Sequence, residues 1–360
     1  MSSLTTRELA RLVGGELYGR GERLIDDVAG FNEADASQVT FLEGVAADGH
    51  PKSAAGAVIL AAEHLDVLGP ASAAELIVAP SPLDAFVTAM LHFRPQRPAA
   101  NVGRSRLAHI SPTARLGMDC NVFPGATIQH DVCLGDRCVI HSGVVIGPGC
   151  RLGDDVTIYP NAVLYPGVSL GNRVIVHATA VIGADGFGYR FRDGRFVRIP
   201  HTGTVRIEDD VEIGAGTTID RAMIGATVIG AGTKLDNQVQ IAHNCRLGKH
   251  NAFASQVGLA GSVTTGDYVR CGGQVGVADH GHLGTGSSVG GKAGVHGRVP
   301  DGAEYQGIPA GPAKEQYRIV MALQRAPEMR RQIRELEKQL KQIHSLLDTA
   351  EILQPSAPAA

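Results

Sequence analysis

The segment NVFPGATIQHDVCLGDRCVIHSGVVIGPGCRLG, residues 121–153, decides the fold. Val122, Ile128, Leu134, Ile140, Ile146 and Leu152 stand six residues apart in it. A helix repeats its faces every 3.6 residues and a strand every two, so a strict period of six belongs to neither alone. It fits short flat strands joined by tight turns, each sending one aliphatic side chain inward. The register runs back to Ile110 and Leu116 and forward through Ile158, Leu164, Leu170, Val176 and Ile182. After an interruption it returns at Ile207, Ile213 and Ile219, slips by four residues, and resumes at Ile229, Leu235, Ile241, Leu247, Phe253 and Leu259. Thr265 and Cys271 weaken it before Val277, Leu283, Val289 and Val295 restore it.

Three such sides close a triangular coil, and stacked coils share one core. At the strand spacing of ~4.8 Å, roughly ten coils make a prism about 50 Å long. Glycine follows the aliphatic at Gly117, Gly135, Gly147, Gly153, Gly171 and Gly183, where a turn at positive φ would demand it. Cys120, Cys138, Cys150 and Cys245 stand two residues before a periodic aliphatic, a slot filled elsewhere by Ala114, Ala126, Val132, Val144, Val156 and Ala162. They read as small interior hydrophobes. Cys271 takes a periodic position and Cys133 falls outside the pattern; with no CxxC pair, neither a zinc site nor a redox pair is expected.

Composition agrees with a narrow interior: 360 residues hold 46 glycines, 4% aromatics and no Trp. The net charge of −3 gives no global basic field for nucleic acid. No run reaches the roughly 20 apolar residues of a membrane span. The start, MSSLTTRELARL, lacks an apolar signal core, so a cytoplasmic location is expected.

Residues 1–100 have no six-residue period and read as a small α/β domain. TTRELARLVGG is a capped helix ending at glycine, GAVILAA and AELIVAP are buried strands, SPLDAFVTAMLHF is a second helix, and FRPQRPAANVG is a linker. The repeat domain spans 105–312, with the excursion GADGFGYRFRDGRFVRIPHTG, 183–203, folding as a hairpin around RDGR. Its aromatics, Phe187, Tyr189, Phe191 and Phe196, either pack on the prism or wall a cleft. Residues 313–350 form a helix whose Met329, Ile333, Leu336, Leu340, Ile343 and Leu347 make a heptad seam, too short to stand alone. Residues 351–360, ending in LQPSAPAA, are expected to be disordered.

Within KLDNQVQIAHNCRLG, His243 follows Ile241 by two and so points outward, as do His130, His141 and His177 near other corners. Position alone does not distinguish it. The surrounding segments do: GADGFGY, RIPHTGTVRIEDDVEIGAGTTIDRA, KLDNQVQIAHN and QGIPAGP, in that order. Together they resemble the UDP-3-O-acylglucosamine N-acyltransferases of lipid A synthesis, over residues 105 to 312 and in layout beyond. The resemblance implies a left-handed parallel β-helix, where the general crossover rule points to a right-handed one. It also implies a homotrimer with active sites between neighbouring prisms. The implied reaction moves a 3-hydroxyacyl chain from the phosphopantetheine of acyl carrier protein to the 2-amino group of a UDP-sugar, with no cofactor or metal of the enzyme's own.

On that resemblance His243 is the general base, Asp236 the carboxylate that orients it, and His280 a second histidine near the sugar and the oxyanion. Seven residues of a six-residue period put Asp236 and His243 on different sides of a coil, so their contact crosses between subunits if it forms. Asp185, Phe187, Tyr189, Asn237 and Gln240 fall in the matching segments as substrate-binding candidates. Phe41 matches the first of two aromatics that sandwich uracil, but Gly44 and Ala47 depart from the family's Asn and Tyr, and a core role for Phe41 stays open. His280 and His282 form an HxH that would need a third ligand to hold zinc. The cations Arg325, Arg330, Arg331, Arg334, Lys338 and Lys341 of the terminal helix offer a dock for an acidic carrier protein, diluted by Glu328, Glu335 and Glu337. Two other readings share the fold: O-acyl or acetyl-CoA-dependent transfer, and a non-catalytic scaffold.

Overall fold

The computed structural model describes residues 3–44, 53–65, 74–95, 100–307 and 312–352. The linker residues 96–99, the exit residues 308–311 and the tail 353–360 lie outside the described residues, as do 45–52, where the second uracil aromatic was sought. The chain divides into two compact units, 1–100 and 101–360.

In the first unit, helix α1 (Thr6–Leu12) opens with a capping box in which Thr5 and Glu8 satisfy each other's backbone N–H groups. Helix α2 (Pro82–Phe93) is capped by Ser81. Its five-stranded sheet has the order Glu16–Tyr18, Glu75–Val78, Ala57–Leu60, Gln38–Leu42, Asp27–Val28, and only the first pair is antiparallel. Leu9, Val39, Ile59, Ile77, Ala89 and Phe93 form the core between sheet and helices.

The second unit is a parallel β-helix of three ten-stranded faces. The first face runs from His109–Ile110 to Gly294–Val295, the second from Arg115–Leu116 to Arg298–Val299, the third from Asn121–Val122 to Glu304–Tyr305. Most strands are two residues long, and the periodic aliphatics fill one continuous core. The four interior cysteines add more than bulk. Each thiol donates to a carbonyl of the next coil, as from Cys138 to Gly153 O at 3.2 Å and from Cys150 to Tyr165 O at 3.1 Å. Burial pushes the Cys138 and Cys245 thiols up to about 12. Thr217 and Thr233 use the same slot in the same way, bonding to the carbonyls of Asp236 and Gly248.

The recurrent glycines correct the expectation of positive φ. Of the six, only Gly183 is left-handed, at φ 94, where a bulge shifts the pairing of Val181–Asp185 with Thr218–Arg221. The others are required by contact between coils: a Cβ at Gly135 would stand 2.6 Å from the carbonyl of Gly153. The left-handed residues lie two places later and carry side chains, namely Asp119, Arg137, Asp155 and Arg173. Between them run two ladders. Asp136, Asp154, Asn172 and Asp209 each accept a backbone N–H from the preceding coil at 2.7–2.9 Å. Arg137 and Arg173 grip Asp155 and Asp210 through both guanidinium nitrogens at 2.6–2.7 Å.

Helix α3 (Ala313–Ile352) contains Pro327 and leaves Met329, Ile333, Leu336, Leu340 and Ile343 about half exposed. Its seam has no covering element among the described residues of this chain.

The two glycine classes give a first prediction. Gly135→Ala must push the backbone of the next coil aside, at or above the ~1–3 kcal/mol of ordinary overpacking. Gly149→Ala meets nothing within 4 Å and costs only the strain of φ 66, about 1–2 kcal/mol. Urea unfolding midpoints are expected in the order wild type, Gly149→Ala, Gly135→Ala, and the reverse order of the two variants would return the explanation to φ.

Candidate active site

The site forms where the repeat is broken. The four-residue slip and the excursion lengthen Val181–Asp185, Thr204–Ile207, Thr218–Arg221 and Ala226–Ile229 beyond the two-residue norm. The added residues carry Asp185, Asp220 and Arg221 to the edge of the first face, in register with one another. The excursion is an antiparallel hairpin, Tyr189–Arg192 with Arg195–Arg198, turned by Asp193 and Gly194 at φ 52 and 75. Primed two-residue turns of this kind match the twist of paired strands. Its aromatics do not bury themselves: Phe187 is 86% and Phe196 72% exposed. Phe187 meets Tyr189 edge-on, and Phe191 meets Phe196 likewise.

His243 sits half-buried at the corner between the first and second faces. Its Nδ1 is 3.2 Å from Asn244 Oδ1. The Asn244 amide is itself oriented, because Oδ1 accepts from Met223 N and Nδ2 donates to Ile224 O. An oxygen so placed can only accept, so the His243 proton resides on Nδ1 and Nε2 keeps its lone pair. That nitrogen lies over Gly261, where a Cβ would be 2.8 Å away. On the other side Gly186 of the excursion closes in, with room for no Cβ against the His243 Cβ at 2.7 Å.

Two neighbours of His243 were missed in the sequence. His201, 6% exposed, packs edge-on to it at 5.2 Å between ring centroids. Asp220 lies one strand back, held by Gln240 Nε2 at 3.0 Å, and burial pushes its carboxyl up to about 6, while His243 opposes that rise. A carboxylate in a register where Ala242, Ala260 and Ala278 follow is a signal the sequence carried. Phe187, Asp220, Gln240 and Ala242 line one end of a groove of about 570 Å³ that continues over Gly258, Ala260, Gly276 and Ala278.

The other candidates are dispersed. Asp185 is salt-bridged to Arg198 and lies 3.8 Å from Arg221. Asp236 is at the opposite corner of the first face, lining a separate groove with His177, Glu212, Lys234 and Asn237. A single chain therefore does not bring it to His243. The Asn237 side chain caps Ala215 N at 2.7 Å, and Gln240 also takes the Thr218 hydroxyl. His280 is exposed at φ 56, with its N–H on Gly261 O at 3.0 Å, whereas His282 faces Thr264 at 2.8 Å. Among the described residues no three His, Cys, Asp or Glu gather as for a metal. Phe41 packs at a tilt against Phe86 of α2, with ring centroids 4.7 Å apart, on the helix-covered face of its sheet. His141 and His177 belong to a stacked column, Phe123–His141–Tyr159–His177, with centroids 4.7–5.0 Å apart.

Residues 113–148 and 149–184 match the family described as "Bacterial transferase hexapeptide (six repeats)". The UDP-3-O-acylglucosamine N-acyltransferase of Syntrophotalea carbinolica is 43% identical over 343 residues, 95% of this chain and 98% of that protein. The chain belongs to that family. The enzyme of the same name from Methylobacillus flagellatus is also 43% identical, over 267 residues, 72% of this chain and 73% of that one. A solved structure of the Arabidopsis UDP-N-acetylglucosamine acyltransferase superposes with a TM-score of 0.46 at 24% identity, covering 57% of this chain and 71% of that one. No helix among the described residues is long and apolar enough to cross a membrane.

Asp220 supplies a second prediction. Its carboxyl rises from an ordinary 3.8 to about 6 because of burial. The folded chain then holds the proton more tightly than the unfolded one, so the group's favourable contribution is complete below about pH 4 and is lost as pH climbs through 6. Asp220→Asn is expected to stabilise the fold by about 1–3 kcal/mol at pH 8 and by nothing at pH 4. Denaturant titrations at both pH values read this directly. An equal gain at both would assign the effect to something other than the charge.

Proposed function

We propose that this chain is an N-acyltransferase that moves a 3-hydroxyacyl group from acyl carrier protein to the 2-amino group of UDP-3-O-acylglucosamine. One observation carries the mechanism: His243 is held by Asn244 in the tautomer that leaves Nε2 free to accept a proton, in a corner flanked by Gly186 and Gly261. The acceptor amine attacks the thioester carbonyl, its proton passes to Nε2, and the tetrahedral intermediate expels the thiolate. The imidazolium then returns the proton to the departing sulfur, so one ring serves both halves of the transfer. An unperturbed imidazole titrates near 6.5 and suits this cycle at neutral pH.

The enzyme works as a homotrimer in the cytoplasm and needs no cofactor or metal of its own. The uncovered apolar seam of α3 supports self-association. So does the position of Asp236, whose pairing with a His243 requires a second copy of the chain. His280, two coils beyond Asn244, borders the sugar. Asp185, Phe187, Tyr189, Asn237 and Gln240 contact substrate, Phe41 offers one face to uracil, and the cations of α3 receive the carrier protein.

The test is acyl transfer from 3-hydroxyacyl carrier protein to the UDP-3-O-acylglucosamine acceptor by wild type and His243→Ala. Wild type is expected to form the amide and the variant to lose at least about a hundredfold in rate. Equal rates would remove His243 as the base. Transfer from acetyl-CoA but not from the carrier protein would favour the coenzyme A branch of the fold.

A further inference from the structure

His201 takes no part in the proposed transfer, yet among the described residues it is the histidine that is buried. Its Nδ1 lies 3.1 Å from Ile199 O. A carbonyl only accepts, so the neutral ring carries its hydrogen on Nδ1 and Nε2 is a bare lone pair. That atom is buried and has no hydrogen-bond partner among the described residues. Buried polar atoms without partners are rare in folded proteins and call for a specific explanation. The surroundings offer no ready donor: the Gly188 N–H is committed to Gly186 O at 2.9 Å, and the His243 Nδ1–H to Asn244. His201 Nε2 and the His243 ring instead border the same small space at Gly186. A Cβ on Gly186 would stand 3.0 Å from His201 Nε2 and 2.8 Å from His243 Cδ2. A Cβ on Gly188 would stand 2.6 Å from His201 Cε1. The two glycines of DGFGY are therefore what lets the excursion seal both rings together.

We propose that His201 is a positioning residue for the catalytic base: edge-on to His243, it turns the negative end of its ring dipole toward the imidazole that becomes cationic during transfer. The inference rests on His243 being the base. Before transfer the lone pair faces a neutral ring and lacks a partner. Once Nε2 of His243 has taken the amine proton, positive charge spreads over the whole ring, its Cδ2 edge included, and the buried lone pair stabilises it without reorganising. No bond to His201 forms or breaks. Other charged groups face His243 as well. Asp220 on Thr218–Arg221 acts in the same direction, Asp185 on Val181–Asp185 stands behind it, and Arg198 and Arg221 neutralise Asp185. These are unchanged by substitution at 201, so a shift seen there belongs to the second ring.

The experiment compares wild type, His201→Phe, His201→Gln and His243→Ala in full-length protein, recording kcat, KM and the pH dependence of kcat. Phe keeps a buried ring without a lone pair; Gln restores an acceptor at nearly the same reach. His201→Phe is expected to lose about tenfold in kcat with KM little changed, and its acid limb to move about one unit lower, since an imidazolium without the lone pair gives up its proton more readily. His201→Gln should recover most of both. An unmoved limb in His201→Phe, or a His201→Gln variant as impaired as the Phe variant, overturns the inference. Should His201→Phe fail to fold, by its thermal transition, the Gln variant still decides: a wild-type limb and kcat support the role, and a tenfold loss refutes it. Activity surviving in His243→Ala instead brings down the base assignment itself, a separate failure.

Discussion

Neighbouring coils of the β-helix touch backbone to backbone, and that contact governs everything built on it. Each coil gives its N–H groups to the carbonyls of the next along all three faces, at separations such as 2.8 Å from Val139 to Val156 and 2.9 Å from Thr157 to Val174. At the corner after the second face, the distance set by those bonds leaves no room for a Cβ, so glycine stands there. The constraint propagates outward. With the corner closed by glycine, the following Asp or Asn is placed to accept the N–H of the coil before it, which satisfies a group that a tight turn would leave open. Two residues on, the left-handed residues carry side chains, and Arg137 and Arg173 there pair with Asp155 and Asp210 of the next coil.

The interior obeys a second consequence of uniform stacking. A triangular cross-section of constant width admits one medium aliphatic and one small residue per side, so changes must compensate within a coil or with the next. Cysteine and threonine are used where a carbonyl of the next coil points inward. Asn251, fully buried, goes further: its Oδ1 accepts from Val269 N and its Nδ2 donates to Thr265 Oγ1, both at 2.7 Å. Thr265, the break in the aliphatic series, is the partner that Asn251 needs. A buried polar group is tolerable when it is hydrogen-bonded and costly when it is not. The irregular residue therefore marks a local exchange of packing for hydrogen bonding.

What was legible in the sequence follows from these two constraints. The period of six, the small-residue slot, the excursion and the hairpin turn are all local patterns, and a repeating fold turns local patterns directly into architecture. The reason for the glycines was not legible, because the clash involves atoms 18 residues away. His201, and the nearness of Asp220 to His243, were not legible for a related cause. Their proximity to His243 depends on the slip and the excursion, which shift register by amounts that a fixed period does not encode. Asp236 shows the complementary case: the resemblance pairs it with His243 while the seven-residue spacing separates them, and the strand Gln240–Ile241 lying between them holds the two at opposite ends of a face.

A uniform coil can make ladders but not a site. Translation by one coil repeats each outward side chain in the same environment, giving columns such as Phe123–His141–Tyr159–His177, in which His141 and Tyr159 see a ring above and below. His141 sits in that column with burial pulling it below the usual imidazole range, and nothing converges on it. Convergence requires that elements from different coils reach the same point, which happens only where strands overrun the corner and the chain leaves the helix. There Asn244 comes from the regular coil, Asp220 from a lengthened strand, and Gly186 and His201 from the two ends of the excursion. Each supplies what the others cannot: the amide selects the tautomer, the carboxylate and the second ring supply negative potential, and the glycines let the chain approach both rings closely. The price is local, one excursion and one slip in an otherwise regular stack, and the coils on either side hold those parts rigidly enough for one nitrogen lone pair to be presented in a defined direction.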